Sequence, residues 1–238
     1  MKEQLEAEVK EILDWKIDIK KEEKSVPGKG DLTLGETAKS IETCILFVDI
    51  RGSSIITDTH RKATTIKIFN AFLNGVVRIA KANWGHVRSF NGDSLLIIFD
   101  PDMPNIVSDK AVDTALKIKG FVREILLPAL KKKQYEEKFE VGIGIAKDNI
   151  VVSKVGIRGT ENNDLIWAST GTNMAAKLGN SGSDIMITEK VFYELGHGGL
   201  YTEDANDKKE KYMWSKETLE FANKYYYVHR TSWYRFCN

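Results

Sequence analysis

Cysteine, proline and long apolar runs are all scarce in this chain of 238 residues, which has 2 cysteines and 4 prolines. Two cysteines do not make a disulfide framework, so we expect Cys44 and Cys237 to be reduced thiols in a cytoplasmic protein. No apolar run approaches the roughly 18–20 residues that span a membrane. The charged start, Met-Lys-Glu-Gln-Leu-Glu, does not fit a secretory signal. The sequence therefore predicts a cytoplasmic protein with no membrane partner.

An excess of charge of one sign is also lacking. Lysine and arginine number 35 against 34 for aspartate and glutamate, and the net charge is +1. Since nothing overall attracts a polyanion, we expect no nucleic-acid partner. The 4 histidines lack the spacing of zinc ligands. The Gly-x-Ser-x-Gly motif of serine hydrolases and the Gly-x-x-x-x-Gly-Lys phosphate loop are both missing. Their absence argues against a hydrolase with a serine nucleophile and against a P-loop nucleotide-binding protein.

The composition indicates a globular chain, 42% hydrophobic and 29% charged, that can bury a substantial core. Residues 2–24 have a narrow apolar stripe, which predicts a helix. Either this stripe docks on the domain or on a second copy, or the helix is largely solvated with a single docking edge. Proline and glycine mark 25–31 as a linker. We therefore expect an N-terminal helix and linker over 1–40 and the main domain over 41–238.

The rest of the chain interleaves strand and helix patterns. Helical periodicity predicts helices over 54–83 and over 107–133, the second one bent or interrupted at Pro128. Two β-branched runs within 139–155, separated by Lys-Asp-Asn at 147–149, predict a strand, a turn and a return strand. These patterns favour an α+β fold, a sheet with helices packed on one face.

Two carboxylates lie at the ends of predicted strands. Asp49 closes the apolar run 44–48, and Asp93 lies in an Asn-Gly-Asp-Ser turn between two further apolar runs. If the first strand lies beside that hairpin, the two carboxylates converge. Hard oxygen ligands suit Mg²⁺ or Mn²⁺, and Mg²⁺ commonly takes only one or two carboxylates plus substrate phosphates.

A small-residue turn follows the first carboxylate. Gly52, Ser53 and Ser54 open a predicted helix, and backbone N–H groups at such a start can bind phosphate. Carboxylates beside a phosphate cradle point to nucleotide chemistry with metal ions. Taken one at a time, however, these residues also fit a plain strand end, a helix cap and a turn.

Three segments together resemble a known family. They are Phe-Val-Asp-Ile-Arg-Gly-Ser-Ser at 47–54, Phe-Asn-Gly-Asp-Ser-Leu-Leu-Ile-Ile-Phe at 90–99, and Trp-Ala-Ser-Thr-Gly-Thr-Asn-Met-Ala-Ala-Lys-Leu at 167–178. In order and spacing they resemble the class III nucleotide cyclase domain, over about 44–188. Among class III relatives, the variant motifs are most similar to the bacterial pyrimidine cyclases of Pycsar antiphage defence.

The resemblance implies a ferredoxin-like βαββαβ core and a head-to-tail homodimer with two equivalent clefts. In that reading Asp49, Asp93 and the Ile50 carbonyl hold two divalent cations, Mn²⁺ or Mg²⁺. The ribose 3′ oxygen of a nucleoside triphosphate attacks the α-phosphorus to give a 3′,5′-cyclic monophosphate and pyrophosphate. Asn173 of the other subunit orients the ribose, and Lys177 stands where the family usually has its transition-state arginine. A separate effector that senses the cyclic nucleotide is also implied.

The base pocket departs from the purine-specific members of the family. Ser89 and Ile166 occupy the positions where adenylate cyclases have a lysine and an aspartate that read adenine, and neither can replace that pair. Purines are therefore disfavoured and a pyrimidine is favoured, with Trp167 either narrowing the pocket or packing in the core. We expect UTP before CTP. An adenylate cyclase with an unusual pocket and a non-catalytic nucleotide-binding module remain as alternatives.

Overall fold

The computed structural model describes residues 1–22, 24–35, 37–102, 106–136, 138–157, 162–204 and 208–236. The strands are β1 (Asp18–Lys21), β2 (Thr37–Ile50), β3 (Gly85–Asn91), β4 (Ser94–Phe99), β5 (Val141–Gly156), β6 (Asn163–Ala168), β7 (Ile185–Thr188), β8 (Tyr201–Glu203), β9 (Glu210–Tyr212), β10 (Ser215–Phe221) and β11 (Lys224–Thr231). The helices are α1 (Lys2–Leu13), α2 (Ser53–Thr59), α3 (Lys62–Ala82), α4 (Val107–Phe121), α5 (Leu127–Lys132), α6 (Thr170–Gly179), α7 (Glu189–Tyr193) and α8 (His197–Leu200). Of the helices described, none is both long and apolar enough to cross a bilayer.

Most of the strands join one sheet in the order β10-β11-β7-β5-β2-β4-β3, with β1 added beside β2 and β6 beside β5. Its centre is the antiparallel pair of β2 and β5, which runs from the pairing of Ala38 with Ser153 to that of Ile50 with Val141. Helices α2 and α3 connect β2 to β3, and α4 and α5 connect β4 to β5. The mixed α+β class that the sequence predicts is confirmed.

Both faces of the sheet are covered. Side chains alternate along β2, so Cys44 and Leu46 face a core shared with α3 and α4. Ile41 and Ile45 face a second core, which includes Leu178 of α6. A strand buried on both faces has a continuous apolar run, which explains the composition of 44–48. The prediction that helices pack on one face is therefore wrong, because α6 lies on the other.

The N-terminal segment differs from the single helix predicted over 2–24. α1 ends at Leu13, and β1 pairs in parallel with the start of β2, matching Asp18 with Thr37. The weak apolar stripe favours a helix only slightly, and the backbone hydrogen bonds between β1 and β2 favour a strand more strongly. The boundary predicted after residue 40 lies inside β2.

Strand β5 corrects a second prediction. Residues 147–149 form no turn, since β5 continues through them and pairs Lys147, Asp148 and Asn149 with β2. The polar composition is typical of a turn, but a partner strand on one side holds this backbone extended. The second predicted helix is interrupted as expected, although by a π-helical turn at Val122–Leu126 that precedes Pro128.

Cys44 is a buried free thiol. Burial raises its pKa to about 12. Such a thiol stays protonated near neutral pH and packs as a small apolar group. The expectation for Cys237 lies outside the described residues.

Candidate active site

Strand pairing brings Asp49 and Asp93 together. β2 and β4 are antiparallel with Val48 opposite Leu95, so Asp49, the next position on β2, lies beside the start of β4, which directly follows Asp93. Gly92 in that turn has a φ of +66°, which glycine adopts without strain. The predicted convergence of the two carboxylates is therefore present in the fold.

The two carboxylates interact electrostatically. The pKa of Asp49 is raised, first by burial and then by the negative charge of Asp93, while the Arg51 guanidinium acts in the opposite direction. Oδ2 of Asp93 is buried and has no hydrogen-bond partner among the described residues. A buried carboxylate oxygen without a donor is costly. A positive charge bound between Asp49 and Asp93 would offset this cost.

The donors present fit a divalent cation. Asp49 and Asp93 supply two carboxylates, and Ile50 lies buried at the end of β2 beside them. In the described part of the chain no cluster of three or more His, Cys, Asp or Glu side chains could hold a metal on its own. This is the donor set expected for Mg²⁺ or Mn²⁺ that takes its other ligands from phosphate and water.

Arg51 is a residue of this site that the sequence-based reading missed. Its Nη2 atom donates to Asp49 Oδ2 at 2.5 Å and to Asn180 Oδ1 at 3.0 Å, and its Nη1 donates to the Asn180 carbonyl at 3.1 Å. The signal in the sequence was its position two residues after Asp49, since alternate residues of an extended chain share a side. The partner Asn180, far along the chain, left no such signal.

The turn after β2 leaves N–H groups unused. Gly52 has a φ of +71°, and the first bonds of α2 are donated by Ile55 and Ile56 to its carbonyl, at 2.9 and 3.3 Å. The N–H groups at 52–54 therefore take no part in the helical ladder.

An open pocket of about 410 Å³ lies in front of this turn, and its walls include Ser53, Ser54 and Asp93. Asp58 and Phe69 also line it. Because two carboxylates lie in its wall, a phosphate chain fits here only when cations offset their charge.

Helix α6 has a well-defined start. The Ser169 hydroxyl accepts from the Thr172 N–H at 2.9 Å, an N-cap bond, and Asp148 Oδ2 accepts from the Gly171 N–H at 2.7 Å. Asn173 and Lys177 lie one turn apart on this helix and are both exposed. Neither lines the pocket that contains Asp93. Among the described residues, no hydrogen bond or ion pair joins either side chain to Asp49, whose partner is Arg51.

Glycines set the position of α6 against the sheet. A Cβ on Gly144 would lie 2.0 Å from the Ala175 carbonyl oxygen, and one on Gly142 would lie 2.0 Å from the Gly179 carbonyl oxygen. Only glycine admits so close an approach. The two glycines of β5 thus let the backbone of α6 pack closely against the sheet.

The three residues predicted for the base pocket are spread over two strands. Ser89 lies on β3 where its pairing with β4 is irregular, and its hydroxyl donates to Asn91 Oδ1 at 3.1 Å. Ile166 on β6 is 45% exposed, whereas Trp167 is 7% exposed and packs in the second core. The described contacts do not join them into one pocket, and their role at a base stays a prediction.

Comparison with known proteins places the chain. No protein-family model matches it. It is 32% identical to a uridylate cyclase of Xanthomonas perforans over 216 residues, covering 89% of this chain and 88% of the relative. It is 28% identical to a uridylate cyclase of Burkholderia cepacia, covering 92% and 91%. A cytidylate cyclase of Staphylococcus aureus is 29% identical over 62% of this chain and 36% of the relative.

Solved cyclase structures share this fold. The crystal structure of the adenylyl cyclase CyaB from P. aeruginosa superposes with a TM-score of 0.71 at 15% identity, covering 83% of this chain and 97% of that one. At this identity the likeness concerns the fold alone. With the first relative matched along nearly its whole length, the chain belongs to the class III nucleotide cyclase family, in the group whose curated members are named uridylate or cytidylate cyclases.

Proposed function

We propose that the chain is a metal-dependent cyclase that converts UTP to 3′,5′-cyclic UMP and pyrophosphate, with CTP as the second candidate substrate. The observation that carries the proposal is the pairing of Asp49 with Asp93, at the edge of an open pocket. The buried Oδ2 atom of Asp93 receives no hydrogen bond from the part of the chain that the structure describes. The named activities of the relatives supply the reaction and the pyrimidine.

The reaction exchanges one phosphorus–oxygen bond for another. The ribose 3′ oxygen forms a bond to the α-phosphorus and loses its proton, and the bond from that phosphorus to the leaving pyrophosphate breaks. Asp49, Asp93 and the Ile50 carbonyl would hold two divalent cations. When bound, these ions lower the pKa of the 3′-hydroxyl and neutralise the phosphates.

The terminal phosphates are assigned to the turn after β2. The N–H groups of Gly52, Ser53 and Ser54, which donate to no carbonyl in the described turns and loops, would donate to an anion bound there. The small side chains leave room for that approach. The phosphates would then lie near the carboxylates, and bound cations would offset the negative charge of both.

The remaining groups come from a second copy. Asn173 would orient the ribose, and Lys177 would place a point charge near the pentavalent phosphorus without the bidentate fork of arginine. Their exposure, away from the Asp93 pocket of their own chain, supports a cleft shared between two ferredoxin-like cores paired head to tail. The homodimer then has two equivalent clefts.

The choice of base and the biological role complete the proposal. Ser89 and Ile166 offer no charged pair to a purine, which leaves adenine and guanine poorly satisfied. Cyclic UMP made in the cell would act as a messenger in antiphage defence, read by a separate effector protein.

The experiment is to incubate the protein with Mn²⁺ and each of the four nucleoside triphosphates separately, and to identify products by mass. We expect cyclic product from UTP, and none from the Asp49→Ala or Asp93→Ala protein. Asp102→Ala, which removes an exposed aspartate outside the pocket, is the matched control and should remain active. Normal cyclisation by either carboxylate variant would refute the assignment of the metal residues.

A further inference from the structure

Helix α1 presents an apolar row that the described chain does not cover. No residue of α1 is buried, and Leu5, Val9 and Leu13 are 53%, 54% and 79% exposed. They lie one turn apart, on one side of the helix. Isolated helices shorter than about 12–15 residues are marginal in water. A helix of 12 residues with an open apolar row therefore calls for a partner.

Charges of alternating sign run beside this row. Lys2, Glu6, Lys10 and Asp14 are also spaced one turn apart, and together with the apolar row they line a shallow groove of about 680 Å³. Within one helix, neighbours in this row attract each other, as Lys2 and Glu6 do at 3.8 Å. Such exposed pairs add little stability, but charges of this kind select the register and direction of a partner.

The order of the charges is complementary to itself when reversed. If a second α1 lies antiparallel, Lys2 faces Asp14 of the second copy and Glu6 faces Lys10 of the second copy, and the two-fold axis repeats both pairs. If the second α1 lies parallel with the apolar rows facing each other, the two-fold axis puts the charged rows on opposite sides of the pair, where they do not meet. Only the antiparallel direction therefore gains ion pairs from this row.

We propose that the α1 groove binds α1 of a second copy of this chain in the antiparallel direction. The two-fold axis passes near Val9, so that Leu5 of each helix packs toward Leu13 of the other. Trp15 follows the C-terminal end of α1, and its ring packs on Gly35. This contact anchors that end of the helix to the domain. This surface is separate from the proposed catalytic cleft, and the proposal does not depend on the reaction.

The small area of the α1 surface limits how strongly it can hold two copies together. A helix of 12 residues spans about 18 Å. That length buries far less area than a stable dimer needs. The contact therefore adds to a larger interface, either by tightening one dimer or by joining two dimers.

Disulfide trapping tests the direction of the helices. In a Cys237→Ser background, Lys2→Cys and Asp14→Cys proteins are mixed and mildly oxidised, since Cys44 is buried and does not compete. We expect cross-linked product from the mixture and little from either protein alone. Lys67→Cys, at an exposed position on α3, measures cross-linking by random collision. We expect its yield to be as low as that of either single variant and well below that of the mixture. Equal cross-linking of Lys2→Cys with itself, or a yield no higher than that of Lys67→Cys, would overturn the proposal.

Charge reversal gives a second test that does not depend on cysteine. Lys2→Glu with Lys10→Glu makes the row wholly acidic, and we expect it to lower the trapped yield of a Val9→Cys protein several-fold. Adding Glu6→Lys and Asp14→Lys reverses the whole row and should restore the yield, because the reversed row is again self-complementary. No loss with the acidic row, or no recovery with the reversed row, would contradict the charge register.

Discussion

One side chain, Arg51, links Asp49 to Asn180. Its Nη2 atom lies 2.5 Å from the Asp49 carboxylate and 3.0 Å from the Asn180 side chain, and both Arg51 and Asp49 are largely buried, at 22% and 19% side-chain exposure. Asn180 follows the last residue of α6. A residue beside the carboxylate pair is thus tied to the helix that carries Asn173 and Lys177.

Replacing Arg51 by methionine should lower cyclisation by roughly 10- to 100-fold, the usual cost of losing a partner that orients a ligand. Arg51→Lys should recover part of the rate, since one of the bonds can be kept. Backbone amides at the C-terminal end of α6 should also exchange faster in Arg51→Met, which hydrogen-exchange mass spectrometry measures. Arg61→Met, an exposed arginine before α3, should change neither quantity. Unchanged exchange in α6 would disprove the link.

Asp93→Asn should stabilise the metal-free protein. The pKa of Asp49 is raised in the folded chain by burial and by Asp93. A raised carboxyl pKa means that ionised Asp49 costs stability at neutral pH, and the cost disappears as the pH falls below the ordinary value. We expect the melting temperature in EDTA at pH 7 to rise by about 2–4 °C, as for a gain of roughly 1 kcal/mol in a domain of this size.

The gain in Asp93→Asn should shrink toward pH 4, where Asp49 is increasingly protonated in both proteins. Asp102→Asn serves as the control for the loss of an exposed charge and should not shift the melting temperature at either pH. A melting temperature at pH 7 equal to or below that of the wild type would contradict the repulsion between the two carboxylates.

Gly144→Ala should destabilise the fold through its contact with α6. The added methyl group would lie 2.0 Å from the Ala175 carbonyl oxygen and 2.4 Å from the Gly179 nitrogen. Overpacking of this kind costs about 1–3 kcal/mol, which urea unfolding measures. Gly30→Ala, whose added methyl group would have no described atom within 4 Å, is the matched control and should change stability little. Similar values for the two variants would mean that α6 is not held by this approach.

Local signals explain what the sequence predicted well. Asp49 follows an apolar run, and Asp93 lies in an Asn-Gly turn, so each position depends only on its own neighbours. The N-cap bond of Ser169 to Thr172 is local in the same way. These short-range rules were enough to place Asp49 at a strand end and Asp93 in a turn.

Contacts between distant segments explain what the sequence did not predict. The turn expected at 147–149 is strand because β5 pairs with β2 there, about a hundred residues away in sequence. β1 is strand for the same reason. The bond from Arg51 to Asn180 spans 129 residues, and no periodicity within either segment indicates it.

Complementation between two inactive variants tests the shared cleft. Asp49→Ala and Lys177→Ala should each be inactive as homodimers, because both clefts lack one part. After subunit exchange the mixed dimer has one intact cleft, so an equal mixture should recover about a quarter of the wild-type activity. An equal mixture of Asp49→Ala and Asp93→Ala, which damage the same side of the cleft, should recover none. No recovery with Lys177→Ala after demonstrated exchange would rule out a shared cleft.

The most direct measurement is a competition in which the wild-type protein receives UTP, CTP, ATP and GTP at equal concentration with Mn²⁺, and every cyclic product is quantified by mass spectrometry. We expect cyclic UMP as the main product, cyclic CMP as the next, and little cyclic AMP or cyclic GMP. Predominant cyclic AMP or cyclic GMP would contradict the pyrimidine assignment, and the absence of any cyclic product would contradict the proposed reaction itself.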